Sequence, residues 1–333
     1  MHLRREHAVH DLPTLHTFIR AHPLGVLTTS LPSATFPTLQ CSHIPWVLDT
    51  DTTGPDSTSE NESGLNEPSS SSTATTHNPS SCPLGVLRGH IARANPQAAA
   101  MIEAVTDTPS ASVKGQYDSL GSADQVQDQD QDKGRDSGYY LPGEVLIIFT
   151  SPVDHYITPH FYTAAKAAAA AAAATTGGSG ASGGTGKARI APTWNYAAVQ
   201  VYGRMRVYHD SSAEETGLFL QRQLSDLAKL GEEGVMGFTE DEPNTDGEGQ
   251  GNSTGSGGGT TPWKLDDAPE KYIAILKKNI VGMQVDITRV EGRFKVSQER
   301  PVGDRDGVVD GLEGRGGGVA RRMAEFVRDG RVV

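Results

Sequence analysis

Residues 197–208, AAVQVYGRMRVY, alternate in character with a period of two. Val199, Val201, Gly203, Met205 and Val207 fall on one side; Gln200, Tyr202, Arg204, Arg206 and Tyr208 fall on the other. Successive side chains of an extended chain project to opposite faces, so this run predicts a long strand with one face buried and one wet. Such a strand suits the wall of a barrel.

Other segments extend the same reading. LGVLTTS at 24–30 and TLQCSHIPWVL at 38–48 predict two strands joined by a Pro-containing turn, since apolar and β-branched residues lie between Gly and Pro punctuation. LGVLRGHI at 84–91 predicts another strand. EVLIIFT at 144–150 is apolar almost throughout and reads as a strand buried on both faces, with Tyr156–Ile157 continuing the sheet. VGMQVDITRVEGRFKVS at 281–297 is expected to form a strand, a turn near Glu291–Gly292 and a second strand.

Helices are fewer. DLPTLHTFIRAH at 11–22 opens on a capping Asp and gathers Leu12, Leu15, Phe18 and Ile19 on one side. ANPQAAAMIEAV at 94–105 carries Asn95 as cap and Pro96 in its first turn. Residues 212–230 and 269–279 are amphipathic, Asp266 and Asp267 are read as the cap of the second of these, and the tail from 304 to 330 is helical in pieces. Strands with a few helices and no alternating βαβ rhythm predict a mainly β protein, an antiparallel barrel with peripheral helices; no dinucleotide or phosphate-loop motif contradicts it.

The chain has 333 residues, which ordinarily suggests two domains. Four stretches at about 50–82, 106–138, 163–189 and 240–261 are rich in Ser, Thr, Gly, Asn, Asp, Gln or Ala and read as disordered loop insertions. Setting them aside leaves on the order of 220 residues, enough for one sizeable core. The expected organisation is one domain over 1–312 with a helical tail at 313–333.

With 29 Lys and Arg against 41 Asp and Glu, the formal net charge is −12, which repels nucleic-acid backbones and anionic membranes. Direct DNA binding is disfavoured on that ground. Cys41 and Cys82 give neither a disulfide framework nor a metal-ligand spacing, so no metal site is expected. The charged N-terminus and the lack of an 18-residue apolar run point to a cytoplasmic or nuclear protein without membrane insertion.

Five blocks carry more specific information: LRGHIARANPQ at 87–97, EVLIIFTSPVDHYITPHFY at 144–162, APTWNYAAVQVYGRMRV at 191–207, PWKLDDAPEKYI at 262–273, and IVGMQVDITRVEGRFKVSQERPVGDRDGVVDGL at 280–312. With Pro-Thr-Trp-Asn-Tyr and the Lys-x-Ser-Gln-x-Arg ending, they resemble the PaiB-like family of FMN-binding negative transcriptional regulators. The resemblance spans nearly all of the chain outside the insertions. It implies an FMN-binding split barrel, a homodimer with the cofactor at the subunit interface, and, by the family's name, a regulatory role.

A flavin mononucleotide site needs cationic or hydroxyl donors for a phosphate, a flat wall for the ring, and donors along its polar edge. Arg88 and His90 share one strand face, and Asn95 follows at a corner. Thr193, Trp194, Asn195 and Tyr196 precede the long strand, where loops meet ligands at a barrel mouth. Lys295, Ser297, Gln298 and Arg300 close the last strand with a dense set of donors. Together these are the candidate cofactor residues; Ser42, Tyr156 and Tyr162 are weaker candidates. No nucleophile elbow, zinc-protease motif or CxxC occurs, so no catalytic residue is assigned.

Three functions compete. One is FMN binding with flavin-dependent redox or sensing activity, as an FMN-dependent oxidoreductase. The second is a transcriptional regulator without a visible DNA-binding motif. The third is a haem-binding or haem-degrading split barrel, with His43, His90, His155 and His160 as axial candidates.

Overall fold

The computed structural model describes residues 3–50, 82–106, 139–163, 167, 191–239 and 261–332. The four insertions expected from composition fall almost wholly outside the described residues.

Among the described residues nine strands form the framework: β1 (Ala8–Val9), β2 (Leu24–Ser30), β3 (Leu39–Pro45), β4 (Val47–Asp49), β5 (Val86–Ala92), β6 (Tyr140–Thr150), β7 (His155–Ile157), β8 (Thr193–Tyr208) and β9 (Ile280–Lys295). The pairing order is β3-β2-β6-β8-β9-β5-β4, antiparallel throughout, with β1 on β9 and β7 on β8. The two end strands of that order are consecutive in the chain. Residues 39–49 form one bent segment whose first half pairs with β2 and whose second half pairs with β5. At the bend Trp46 is buried, and its backbone N–H donates to the Pro23 carbonyl at 2.9 Å. Among the described residues no ladder joins β3 to β5, so the barrel is split at this corner.

The buried face read in 197–208 holds, since Val199, Val201, Met205 and Val207 lie in the barrel's main core; the opposite face is wet only in part, because Arg206 and Tyr208 are buried too, against Glu215 and Phe219. Three expectations need correction. β9 is a single 16-residue strand with no turn at Glu291–Gly292; Gly292 pairs with Val199 on one side and Val9 on the other. Gly is required there by crowding, because a Cβ would lie 2.2 Å from Leu15 Cδ2 and 3.1 Å from Val9 Cβ. In β6, Val145, Ile147 and Phe149 are buried, but Leu146 and Ile148 on the other face are only half-buried. Asp267 accepts from the Lys264 backbone N–H at 2.8 Å within a 3-10 turn, while the N-cap of the following helix is Pro269.

Among the described residues six α-helices surround the sheet: α1 (Leu12–Ala21), α2 (Pro96–Thr106), α3 (Glu214–Lys229), α4 (Glu270–Lys278), α5 (Val302–Arg315) and α6 (Gly318–Asp329). Asp11 caps α1 by accepting from the Thr14 N–H at 3.0 Å, and Leu15, Phe18 and Ile19 enter the core. Asn95 caps α2 by accepting from the Gln97 N–H at 2.8 Å. Helices α3 and α4 contact the outer wall of β5 and the start of β9, enclosing a second small core of Leu220, Leu224, Leu265, Ile273 and Ile280. The predicted boundary at 312 falls inside α5, and Met323, Ala324, Phe326 and Val327 of α6 join the main core. No described helix is long and apolar enough to cross a membrane.

Replacing Gly292 by Ala is expected to lower unfolding free energy by about 1–3 kcal/mol through overpacking, read as a reduced urea midpoint. Burial lowers the pKa of His16, His22, His90 and His209 from the ordinary 6.5. Below that value the unfolded chain binds protons that the fold resists, so stability is present above it and falls as the pH drops through it. The urea midpoint is therefore expected to decrease between about pH 7.5 and about pH 5.5, and less so in a His90→Gln variant.

Candidate functional site

Thr193, Trp194, Asn195 and Tyr196, expected to precede the long strand, are instead its first four residues, because β7 and β9 supply ladder partners there. This start of β8 and the end of β9 lie side by side, with Tyr196 opposite Lys295. Lys295 Nζ donates to the Thr193 hydroxyl and, at 3.0 Å, to the Trp194 carbonyl. Asn195 is fully buried, and its Nδ2 donates to Ser297 Oγ at 2.9 Å. Ser297 has φ +62°, a left-handed conformation that a non-Gly residue adopts only where its surroundings enforce it. That residue turns the chain out of β9. Gln298 ties the turn together: its Oε1 accepts from the Val296 N–H at 2.7 Å and its Nε2 donates to the Glu6 carbonyl at 3.0 Å.

Around this junction the side chains are cationic and aromatic. Arg300 lies over the Tyr162 ring, 4.7 Å from its centroid, and Arg293 over Tyr196 at 5.6 Å. Trp194 is 50% exposed, donates from Nε1 to Asp154 at 3.1 Å, and meets Tyr156 edge-on at 6.0 Å. Buried His7 anchors Glu299 at 3.1 Å. Burial lowers the pKa of Lys295; Glu299 opposes this, but the positive fields of Arg293, Arg300 and Arg4 reinforce it. For Glu299, burial pushes upward, and the His7 hydrogen bond with nearby Lys295 holds the net shift downward. The result is a local excess of positive charge on a chain of net charge −12.

Arg88, His90 and Asn95 lie elsewhere. Arg88 pairs with Gln284, eleven positions before Lys295 on β9, roughly 35 Å of extended chain. Its guanidinium is buried beneath α3: Nε donates to Asp49 at 2.7 Å, Nη2 to Asp49 at 2.9 Å and Asp226 at 2.6 Å, and Nη1 to Gln223 at 3.5 Å. Four of its five N–H groups are thereby used within the protein. His90 points to the same side, with its Nδ1 buried and unbonded among the described residues. Asn95 caps α2 and donates to Ser42 at 3.2 Å.

Thus Thr193, Trp194, Asn195, Tyr196, Lys295, Ser297, Gln298 and Arg300 come together in one chain, and Arg88, His90 and Asn95 do not join them. Sequence reading missed Arg293, Glu299 and His7. Arg293 was findable, since it shares the outer strand face with Lys295 two positions on; His7 reaches Glu299 from the opposite end of the chain, which no local pattern signals. The four histidines considered for haem are dispersed over β3, β5, β7 and the turn at Pro159–Phe161. Among the described residues no three His, Cys, Asp or Glu side chains are grouped to hold a metal ion.

The family model described as "Putative FMN-binding domain" matches residues 1–176 and 182–289. The chain belongs to this FMN-binding domain family. The match establishes the family without singling out its PaiB-like members, and it lends no support to haem. A protein of Aspergillus fumigatus is 40% identical over 329 residues, covering 99% of this chain and 97% of that protein. One from Emericella nidulans is 36% identical over the same length and coverage. Among solved structures, a flavocytochrome from Azotobacter vinelandii aligns with a TM-score of 0.32 at 9% identity, over 88% of this chain and 72% of that one.

Arg88 holds together two half-exposed carboxylates and the α3–β5 contact. Arg88→Met is expected to cost about 1–3 kcal/mol, less than a wholly buried pair because Asp49 and Asp226 reach solvent. Urea unfolding measures it, with partial recovery expected in Arg88→Met/Asp226→Asn.

Proposed function

We propose that this member of the FMN-binding domain family holds FMN at the β8–β9 junction of a homodimer and serves a flavin-dependent redox role. The observation that carries the reading is the positive cluster of Lys295, Arg293, Arg300 and Arg4 beside half-exposed Trp194 and Tyr156. Those groups fit the two unlike parts of the cofactor. Lys295, Thr193 and Arg293 supply cationic and hydroxyl donors for a phosphate, and Trp194 with Tyr156 supplies aromatic surface for the ring. Asn195 and Ser297 are positioning residues, holding the Thr193–Tyr196 segment against the strand end. FMN, when bound, supplies the electron-transfer chemistry; the protein supplies placement and field.

The dimer is supported by the outer face of β2, β6 and β8. Val26, Leu146 and Ile148 lie there as adjacent half-buried apolar side chains in register. A second copy packed on that stripe would complete the burial that the apolar run of β6 calls for, as the face of an isologous interface.

Purified protein is expected to be yellow, to show the two visible flavin absorbance bands and to sediment as a dimer. Lys295→Glu is expected to weaken FMN binding at least tenfold, the scale of one charge-assisted hydrogen bond. Ile148→Asp is expected to shift the protein to monomer. Colourless protein that takes up no added FMN overturns the reading.

A further inference from the structure

A cavity of about 730 Å³ lies between α3, the 3-10 turn Leu265–Asp267 and α4, away from the β8–β9 junction. Its volume is within the range of small-molecule sites, roughly 300–1,000 Å³. Leu220, Leu265 and Ile273 form an apolar floor, and all three are buried in the second core. The polar groups around that floor are uncommitted. Thr216 is 5% exposed, lines the cavity, and its hydroxyl makes no hydrogen bond among the described residues. Lys277, Lys278, Asp266 and Glu270 also line the cavity, and none is in an ion pair among the described residues.

The charges are segregated. Glu270 opens α4 and Lys277 lies seven residues on, roughly 10 Å along the helix axis at 1.5 Å per residue. Asp266, in the turn just before α4, adds to the acidic end; Lys278 adds to the basic end, which coincides with the partial negative charge of the helix C-terminus. A molecule lying along α4 therefore meets cations at one end, aliphatic side chains in the middle and carboxylates at the other.

We infer that this cavity binds a small amphipathic monoanion, with its charged head at Lys277 and Lys278 and its apolar body over Leu220, Leu265 and Ile273. Thr216, itself 5% exposed, offers its unbonded hydroxyl to a polar atom of that ligand. Asp266 and Glu270 repel a second negative charge, so a dianion of equal length binds more weakly. This specificity is independent of FMN binding at the other end of the sheet.

Octanoate and octanedioate serve as probes in isothermal titration and saturation-transfer NMR of the full-length protein. Octanoate is expected to bind saturably, and octanedioate at least tenfold more weakly. Gly217 lines the cavity, and a Cβ placed on it meets nothing within 4 Å, so Gly217→Leu starts from open space and carries its side chain into the ligand volume. That variant is expected to lose octanoate binding while keeping its thermal unfolding temperature and its FMN uptake. Lys277→Glu/Lys278→Glu, both on the surface of α4, is expected to weaken octanoate severalfold. No saturable binding of octanoate at millimolar concentration, equal binding of the two probes, or binding indifferent to Gly217→Leu overturns the inference.

Discussion

The antiparallel pairing of β8 with β9 is the constraint on which the rest of this structure depends. Each strand is 16 residues long, and their ladder runs from Tyr196 opposite Lys295 to Tyr208 opposite Gly282. One end of the ladder delivers Thr193, Trp194 and Lys295 to a common junction. The other end, with β5, forms the wall on which α3 and α4 pack. A one-residue slip of β9 against β8 would exchange the inner and outer faces of β9, turning Arg293 and Lys295 toward the core. The core therefore fixes the candidate site.

The same pairing explains the split. With β6 and β2 on one flank and β5 on the other, the single segment 39–49 must serve both free edges, and it does so by bending at Trp46. Buried indole and a backbone bond to Pro23 hold that bend. Electrostatics follow from the geometry as well: a strongly acidic chain gathers Arg293, Lys295, Arg300 and Arg4 at one strand end, offset in part by Glu299, which lies 3.5 Å from Arg300. At the other end Arg88 is neutralised from within by Asp49 and Asp226.

Legibility followed physical range. Strands whose periodicity is local were readable: 24–30, 84–91 and 197–208 are β2, β5 and most of β8 within two residues. Helix caps at Asp11 and Asn95 were readable for the same reason, since a cap bonds two or three residues onward. Gly292 was misread because a glycine after an acidic residue has the composition of a turn, while its actual cause, Leu15 and Val9 pressed against it, lies nearly 280 residues away in sequence. Arg88 was misplaced in its company for a similar reason. Its strand and facing were legible, yet the carboxylates that claim it come from Asp49 and Asp226 on other elements.

By itself the amino-acid sequence determined the class of fold, the buried face of the long strand and the helix caps, because periodicity and local hydrogen bonding act over a few residues. Only the tertiary structure decided that β9 runs unbroken, that His7 meets Glu299, that Arg88 faces away from the cluster, and that α3 and α4 enclose a cavity with opposite charges at its ends. Those outcomes depend on which distant surfaces touch. Close packing and Coulomb interaction between elements far apart in sequence settle them, and no local pattern encodes either.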